Sequence, residues 1–517
     1  MRKHRQLACA ATLVAALAMA APAAAAPQVD TSALRNAVTY DGIHEHLAAL
    51  QARAVPYEGG APTRATGTQG HWNSVDYVVQ RLRAAGYQPQ LQPFEADIFV
   101  EESAAFARNG VPYPRYDGET GVWYTADFSG TGDATAAAVA VDFTTPTDQA
   151  SASDSGCEAE DFGPEVVGKV VLLQRGTCDF GLKAELAGEA GAIGAVIFNE
   201  GTIGQADRND VLIPTLAGYT VTIPVVGTDY ATGFELVQAS QAPGGVTVTV
   251  SVQGIVQQDV PTANVIAETP GGRADRTVVV GGHLDSVFEG PGINDDGSGV
   301  STILETAEAM AGLPAPRNKV RFIFFSGEEQ GLLGSEFYVS DLVERLGKKA
   351  IQDISVMLDY DMLASTNFAR LIYDGNGDEH GFAGPNGSGV VEQVYKDWYD
   401  SQGLSYQTIP FDGRSDYDAF TTAGVPAGGI FAGAEELKTA EQVALFGGIL
   451  GEPLDPCYHQ ACDTLTNISQ VALTQHKDAA VHAVGTFAQT TSSVNGTGKA
   501  SSSSTKAWDW KGDHQVR

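Results

Sequence analysis

The sequence predicts an α/β protein: a mixed, largely parallel sheet with helices on both faces, carrying a mostly-β domain inserted into it. Three observations predict this. The runs 276–281, 319–325 and 354–359 read as strands, built around the apolar stretches 278–280, 322–325 and 356–358. They alternate with stretches of helical periodicity such as 298–310 and 333–346, the pattern of βα units. Between residues 101 and 256 the texture changes to short strand-like runs separated by Gly, Thr, Asp and Pro turns.

At 517 residues the chain exceeds one ordinary core, so more than one domain is expected. Residues 1–26 read as a signal peptide: Arg2, Lys3 and Arg5 lead, 7–20 is mostly apolar, and small residues close at Ala26. No run approaches the roughly 18 apolar residues of a membrane span, so a protein secreted after signal removal is expected. Residues 27–100 form the first part of the α/β domain. Within it 31–55 is helical, with Ile43, Leu47 and Leu50 on one face, and 63–70 is a polar loop. Ser74 is placed to cap a second helix whose Val75, Val78, Val79 and Leu82 share a face, and 88–100 alternates like a strand. The insert, 101–256, has strand candidates at 137–143, 170–174, 195–198 and 246–252 and one short helix at 183–190. From 257 to 490 the α/β pattern resumes, with further strands at 264–268, 369–373 and 427–431 and helices at 390–402 and 474–489. Residues 491–517 are rich in Ser, Thr, Gly and Lys and read as a flexible tail.

The formal charge of −32 argues against nucleic acid as a partner, because phosphate binding needs Lys and Arg. It fits an exported protein and weakly favours cationic substrates. Beyond Cys9, in the signal, four cysteines remain, and an even count in an exported chain suggests disulfides. Pairing sequence neighbours gives Cys157–Cys178 and Cys457–Cys462.

The chemistry-bearing residues follow strands. His283 and Asp285 lie at i and i+2, sharing one face if the strand continues, so Asp285 can support the imidazole as a metal site requires. Asp295 projects from a Gly-rich loop just before a helix. The 319–325 strand runs into Glu328-Glu329, where adjacent carboxylates point apart, so one can bind metal while the other acts as general base. The 354–359 strand leads to Asp361. Tyr458 and His459 lie between Cys457 and Cys462. Imidazole and carboxylate ligands without thiolate suit zinc, or less often cobalt or manganese. Asp374-Gly-Asn-Gly-Asp378 lacks the glycine and terminal glutamate of a full calcium loop and reads as a cleft-lining or solvated turn.

Taken in order, His283-Leu-Asp285, Gly-Ile-Asn-Asp295, Glu328-Glu329, Asp361-Met and Tyr458-His459, with Gly413-Arg-Ser-Asp416 and the 427–434 segment, resemble peptidase family M28, specifically its secreted bacterial aminopeptidases. The insert resembles a protease-associated (PA) domain through the segments 168–178 and 192–199. The resemblance implies two zinc ions: His283 and Asp361 on one, Glu329 and His459 on the other, Asp295 bridging. It implies Glu328 as general base, Asp285 as support for His283, Tyr458 as oxyanion donor, Arg414 lining the substrate cleft, and a cis peptide at Asp295–Asp296, with Asp296 not a ligand. The expected function is hydrolysis of the N-terminal bond of peptides or proteins, with apolar N-terminal residues preferred, by a monomer. The alternatives are a carboxypeptidase of the same family or a peptidase-fold binding protein without catalysis.

Overall fold

In a computed structural model of the chain, Val278 and Val280 pack into one core while Val279, between them, packs into another. Successive side chains of a strand point to opposite faces, so an unbroken apolar run marks a sheet covered on both sides. The neighbouring Asn318–Phe325 strand divides in the same way: Phe322 and Phe324 face the first core, Ile323 and Phe325 the second. The structure describes residues 29–495 except 117–119, 149–150, 204–207 and 381–382; the signal-peptide segment and the tail from 496 onward lie outside the described residues.

The sheet that follows from this patterning is mixed and largely parallel. Arg273–His283 pairs in parallel with both Asn318–Phe325 and Ile354–Tyr360, which pairs in parallel with Ala427–Phe431. Leu371–Tyr373 runs antiparallel to Ala427–Phe431, and Thr247–Glu268 runs antiparallel to Asn318–Phe325. Tyr40–Gln51, Gln69–Ala84, Gly297–Ala311, Ser388–Gln402 and Gln470–Gln489 contribute to the first core; Leu333–Leu346 and Tyr417–Thr422 contribute to the second. The register places His283 beside Phe325, and Tyr360 beside Ile430. The carboxyl ends of adjacent strands therefore open on one edge, where open α/β sheets bind ligands.

Gln90–Arg108 and Thr247–Glu268 are longer than expected and pair antiparallel along nearly their whole length. The far half of Thr247–Glu268 also pairs with Gly132–Ala140, which starts a parallel run through Val170–Gln174, Gly194–Phe198 and Val225–Thr228. One ribbon of two strands thus links the two sheets. Among its described residues the strand-rich insert contains two α-helices, Phe180–Glu189 and Tyr230–Gln241. The second has no clear signature in the sequence, being interrupted by Gly233 among Thr and Ser. Packing decides it: a Cβ on Gly233 would lie 2.2 Å from Phe198, so only glycine lets the helix approach its strand. Asp229 caps it by accepting from the Thr232 N–H at 2.6 Å.

Two helix starts differ from expectation. The first helical stretch breaks into Ser32–Ala37 and Tyr40–Gln51, because Thr39 is extended and caps the second piece through Gly42 N–H. The next helix begins at Gln69, not after Ser74: Thr68 accepts from His71 N–H, and the Ser74 hydroxyl donates to the Gly70 carbonyl within the helix. At the other end, Ser492–Asn495 forms a short helix, with Asn495 Nδ2 donating to the Ser355 carbonyl at 3.2 Å. Both expected disulfides, Cys157–Cys178 and Cys457–Cys462, are present. No helix among the described residues is long and apolar enough to cross a membrane.

Candidate active site

Three parallel strand ends and one disulfide loop bring the sequence-predicted residues together. His283 is the last residue of its strand, Glu328 and Glu329 follow Phe325, and Asp361 follows Tyr360. Asp295 precedes the Gly297–Ala311 helix, and His459 lies in the loop closed by Cys457–Cys462. Asp295 sits in the middle: its Oδ1 is 3.1 Å from His283 Nε2 and its Oδ2 is 3.1 Å from His459 Nε2. Glu329 Oε2 is also 3.1 Å from His459 Nε2. On the His283 side, Asp361 Oδ1 lies at 3.6 Å and Glu328 Oε2 at 3.9 Å from Nε2. His459 and Met362, next to Asp361, adopt left-handed backbone at φ 55° and 51°. Such residues are uncommon outside glycine and gather at sites that over-determine them.

The groups shift one another strongly. Burial opposes a charge on His283, but Glu328, Asp361 and Asp295 outweigh it and hold its pKa well above the ordinary 6.5. Burial likewise opposes a charge on His459, and Glu329 with Asp295 lifts it to about 9. Burial would raise Asp295, yet the two imidazoles pull it below the ordinary range. Glu328 goes well up, through burial first and then the carboxylates of Glu329, Asp361 and Asp416.

The donor set fits a pair of divalent cations. His283, Asp295 and Glu329 present ligand atoms within 4.8 Å of one another, as do His283, Glu328 and Asp361. Glu329 Oε1 and Asp361 Oδ1 are buried with no hydrogen-bond partner. An unmade bond at a buried polar atom costs about 1–3 kcal/mol, and a metal ion removes that cost. Imidazole and carboxylate donors in this number suit zinc.

Asp285 stands beside His283 but does not hold it by a hydrogen bond: Oδ1 is 3.8 Å from Nδ1 and instead accepts the Glu328 N–H at 3.4 Å. Asp296 caps the helix, accepting from Gly299 N–H at 2.8 Å and Met362 N–H at 3.1 Å, and so ties the Asp361 turn to the helix start. The Asp295–Asp296 peptide bond is cis. Tyr458 stacks on His459 with ring centroids 3.8 Å apart, and Arg414 Nη2 donates to its hydroxyl at 3.3 Å.

Sequence reasoning passed over the residues that hold this set. Ser415 donates to Asp361 Oδ2 at 2.8 Å; it lay inside a quoted motif, but only the fold brings it to Asp361. Asp463 accepts the backbone N–H groups of Asn294 and Asp295 at 2.8 and 3.0 Å. Arg64 is wholly buried, donating to the carbonyls of Leu284, Pro291 and Gly292 and so clamping the loop that leads to Asp295. Its signal was weak, one Arg in a polar loop. His71, buried beside the site, is held by the Thr262 and Ser326 hydroxyls through its Nε2. In the Asp374 loop, Asp374 accepts from Gly377, Glu379 and His380 N–H, and Asp374, Asp378 and Glu392 present carboxylate oxygens within 4.8 Å of one another.

The sequence model of peptidase family M28 matches residues 264–484, and that of the PA domain matches 135–236. An aminopeptidase of Pseudomonas aeruginosa is 42% identical over 418 residues, covering 80% of this chain and 75% of that protein. The chain belongs to peptidase family M28. It is accordingly a hydrolase of peptide bonds, and it carries a PA domain. Leucine aminopeptidase 2 of Trichophyton tonsurans is 35% identical over 474 residues, 90% of this chain and 87% of that one. The solved aminopeptidase from Aneurinibacillus sp. strain AM-1 matches 88% of this M28 chain and 95% of its own, with TM-score 0.64 and 25% identity.

Proposed function

We propose that this M28 protein is a dizinc aminopeptidase that releases the N-terminal residue of peptides, preferring apolar ones. The observation that carries the reading is Asp295, whose two oxygens each face a different imidazole at 3.1 Å. One carboxylate shared in this way is the natural bridge between two cations. His283 and Asp361 would complete one site, Glu329 and His459 the other. When bound, the ions supply Lewis acidity for the scissile carbonyl and make water a better nucleophile.

The chain's own residues do the rest. Glu328 takes the proton of the attacking water at its carboxylate and passes it to the leaving amine. Tyr458 donates a hydrogen bond from its hydroxyl to the developing oxyanion. Arg414 lines the cleft. Asp285, through the Glu328 N–H, sets the general base in place beside His283. The carboxylates around the site favour the basic α-amine that every substrate of an aminopeptidase brings. A leucine aminopeptidase among the relatives supports the apolar preference. The leader at 1–26 and the two disulfides support export from the cell.

The insert, assigned here to 101–256, shapes access to the cleft. Gly331, just past Glu328-Glu329, packs on it so closely that a Cβ there would lie 3.3 Å from Thr215 Oγ1. A panel of aminoacyl chromogenic substrates, with and without chelator, together with metal analysis, tests the whole reading. Two zinc per chain and chelator-sensitive release of apolar residues are expected. Failure to bind zinc on reconstitution, or release of amino acids from N-acetylated peptides instead, overturns it.

A further inference from the structure

Arg414 and Tyr458 are joined in the structure through a third residue, Glu435, that has no mark in the sequence. Glu435 lies in the loop beyond the Ala427–Phe431 strand, and its Oε1 is 2.8 Å from Arg414 Nη1. Arg414 Nη2 donates to the Tyr458 hydroxyl at 3.3 Å. The other Glu435 oxygen, Oε2, is buried without a partner. Arg414 is therefore the side chain that this carboxylate serves. The neighbouring acids do different work. Asp412 accepts the Arg414 backbone N–H at 3.2 Å, and Glu436 accepts the Ala434 N–H at 3.0 Å. Asp412 thus holds the backbone of Arg414, and Glu435 holds its head.

The direction of these bonds has a chemical consequence. A guanidinium carries five donors and no acceptor, so in the Arg414–Tyr458 contact the phenol oxygen can only accept. The one hydroxyl proton of Tyr458 is left for another acceptor, and among the described residues it makes no further hydrogen bond. A tyrosine free to turn would divide its proton between several directions. One pinned by Arg414 keeps it directed away from the guanidinium. Its ring stacks on His459, whose Nε2 is 3.1 Å from Asp295 Oδ2.

The geometry points to Glu435 as a positioning residue that holds Arg414 against Tyr458 and so aims the Tyr458 proton at the oxyanion of the reaction. It rests on the aminopeptidase reading, with Tyr458 as oxyanion donor. Glu435 itself touches no reacting atom. Its charge matters because an Arg–carboxylate contact is stronger and better defined than one with a neutral partner.

The test is a double-mutant cycle on zinc-loaded enzyme with leucine p-nitroanilide as substrate. It compares wild type, Glu435→Gln, Tyr458→Phe and the pair, with melting temperature and zinc content measured for each. Glu435→Gln is expected to lower kcat about 10-fold, part of the roughly 10²–10³ attached to an oxyanion donor, with KM nearly unchanged. In the Tyr458→Phe background the same change is expected to have no further effect on kcat, because the proton it aims is gone. A merely structural role would lower both backgrounds alike, and that result overturns the proposal. So does an effect confined to KM, which would assign Glu435 to substrate binding through Arg414. If Glu435→Gln does not fold, Glu435→Asp, which keeps the charge and shortens the reach, carries the same cycle. Tyr458→Phe turning over at the wild-type rate would remove Tyr458 from the mechanism; a slow Tyr458→Phe beside a fast Glu435→Gln overturns this inference alone.

Discussion

The molecule contains two parallel β-arrays with apolar cores on both faces, and among the described residues only one ends in a candidate active site. In the insert, the strands Val170–Gln174, Gly194–Phe198 and Val225–Thr228 end in polar residues or run directly into them, at Gln174, Asn199-Glu200 and Thr228-Asp229, as the peptidase strands do. Those residues are occupied by their own backbone. Gln174 accepts from Thr144 N–H and donates to the Glu200 carbonyl, Glu200 accepts from Ser151 N–H, and Asp229 caps a helix. At the peptidase strand ends, Glu329 Oε1 and Asp361 Oδ1 are buried with no bond made. The same architecture serves structure where its polar groups are satisfied within the chain. It serves chemistry where some are left over for a ligand.

That contrast can be attacked from either side. The largest effect is expected at Glu328→Gln, which should retain zinc and fold while losing about 10²–10⁴ in kcat; single-turnover kinetics alongside metal analysis would check it, and near-normal turnover would remove the assigned base. Next comes Ser415→Ala, which takes away the donor that orients Asp361. Supporting bonds of this kind are worth about 10–100-fold in metal affinity or activity, read here by zinc titration against a competing chelator.

A third test concerns stability and leaves the site alone. Burial lowers the pKa of His71 from 6.5 to about 3 and that of His476 from 6.5 to about 4. Above pH 6.5 both are neutral in the folded and unfolded chain and contribute nothing to the pH dependence. Below it the unfolded chain takes up protons that the folded one refuses, so stability falls as pH falls, until the folded pKa is reached. At pH 5 each costs about 2 kcal/mol relative to pH 7. Denaturant unfolding at the two pH values should show the loss, and His476→Leu should make the slope shallower. The smallest effect is expected in the insert, where Asp229→Ala removes a helix cap worth about 1 kcal/mol. Its melting temperature should drop slightly with kcat unmoved; a clear fall in kcat would mean that the insert's polar groups are not merely structural.

The fold was legible where a local rule coincided with the tertiary one. Apolar runs became strands buried on both faces, and Leu333–Leu346 began and ended as its periodicity indicated. The rule failed where two polar residues competed for one job. Ser74 and Thr68 can each cap a helix, and the sequence does not say which hydroxyl will turn inward to a carbonyl. It failed again at Tyr230–Gln241, whose helix depends on how closely Gly233 approaches Phe198. Within the site, the ligand candidates were legible because strand ends mark themselves. Asp463, Arg64 and Glu435 were not, because each acts on a residue distant in sequence, or on a backbone group that carries no residue identity.

Sequence alone determined the class of sheet, the family and the residues with the right chemistry, since all of these depend on residue type, order and short-range spacing. The tertiary structure decided which atoms meet. Only the parallel register sets His283, Glu329 and Asp361 on one edge, and only the disulfide loop brings His459 to the second oxygen of Asp295. It also decided that Asp285 faces the Glu328 backbone more closely than the His283 ring nitrogen. Hydrogen bonds and metal coordination depend on angstrom-scale distances between side chains hundreds of residues apart, and those distances exist only once the sheet has closed its register.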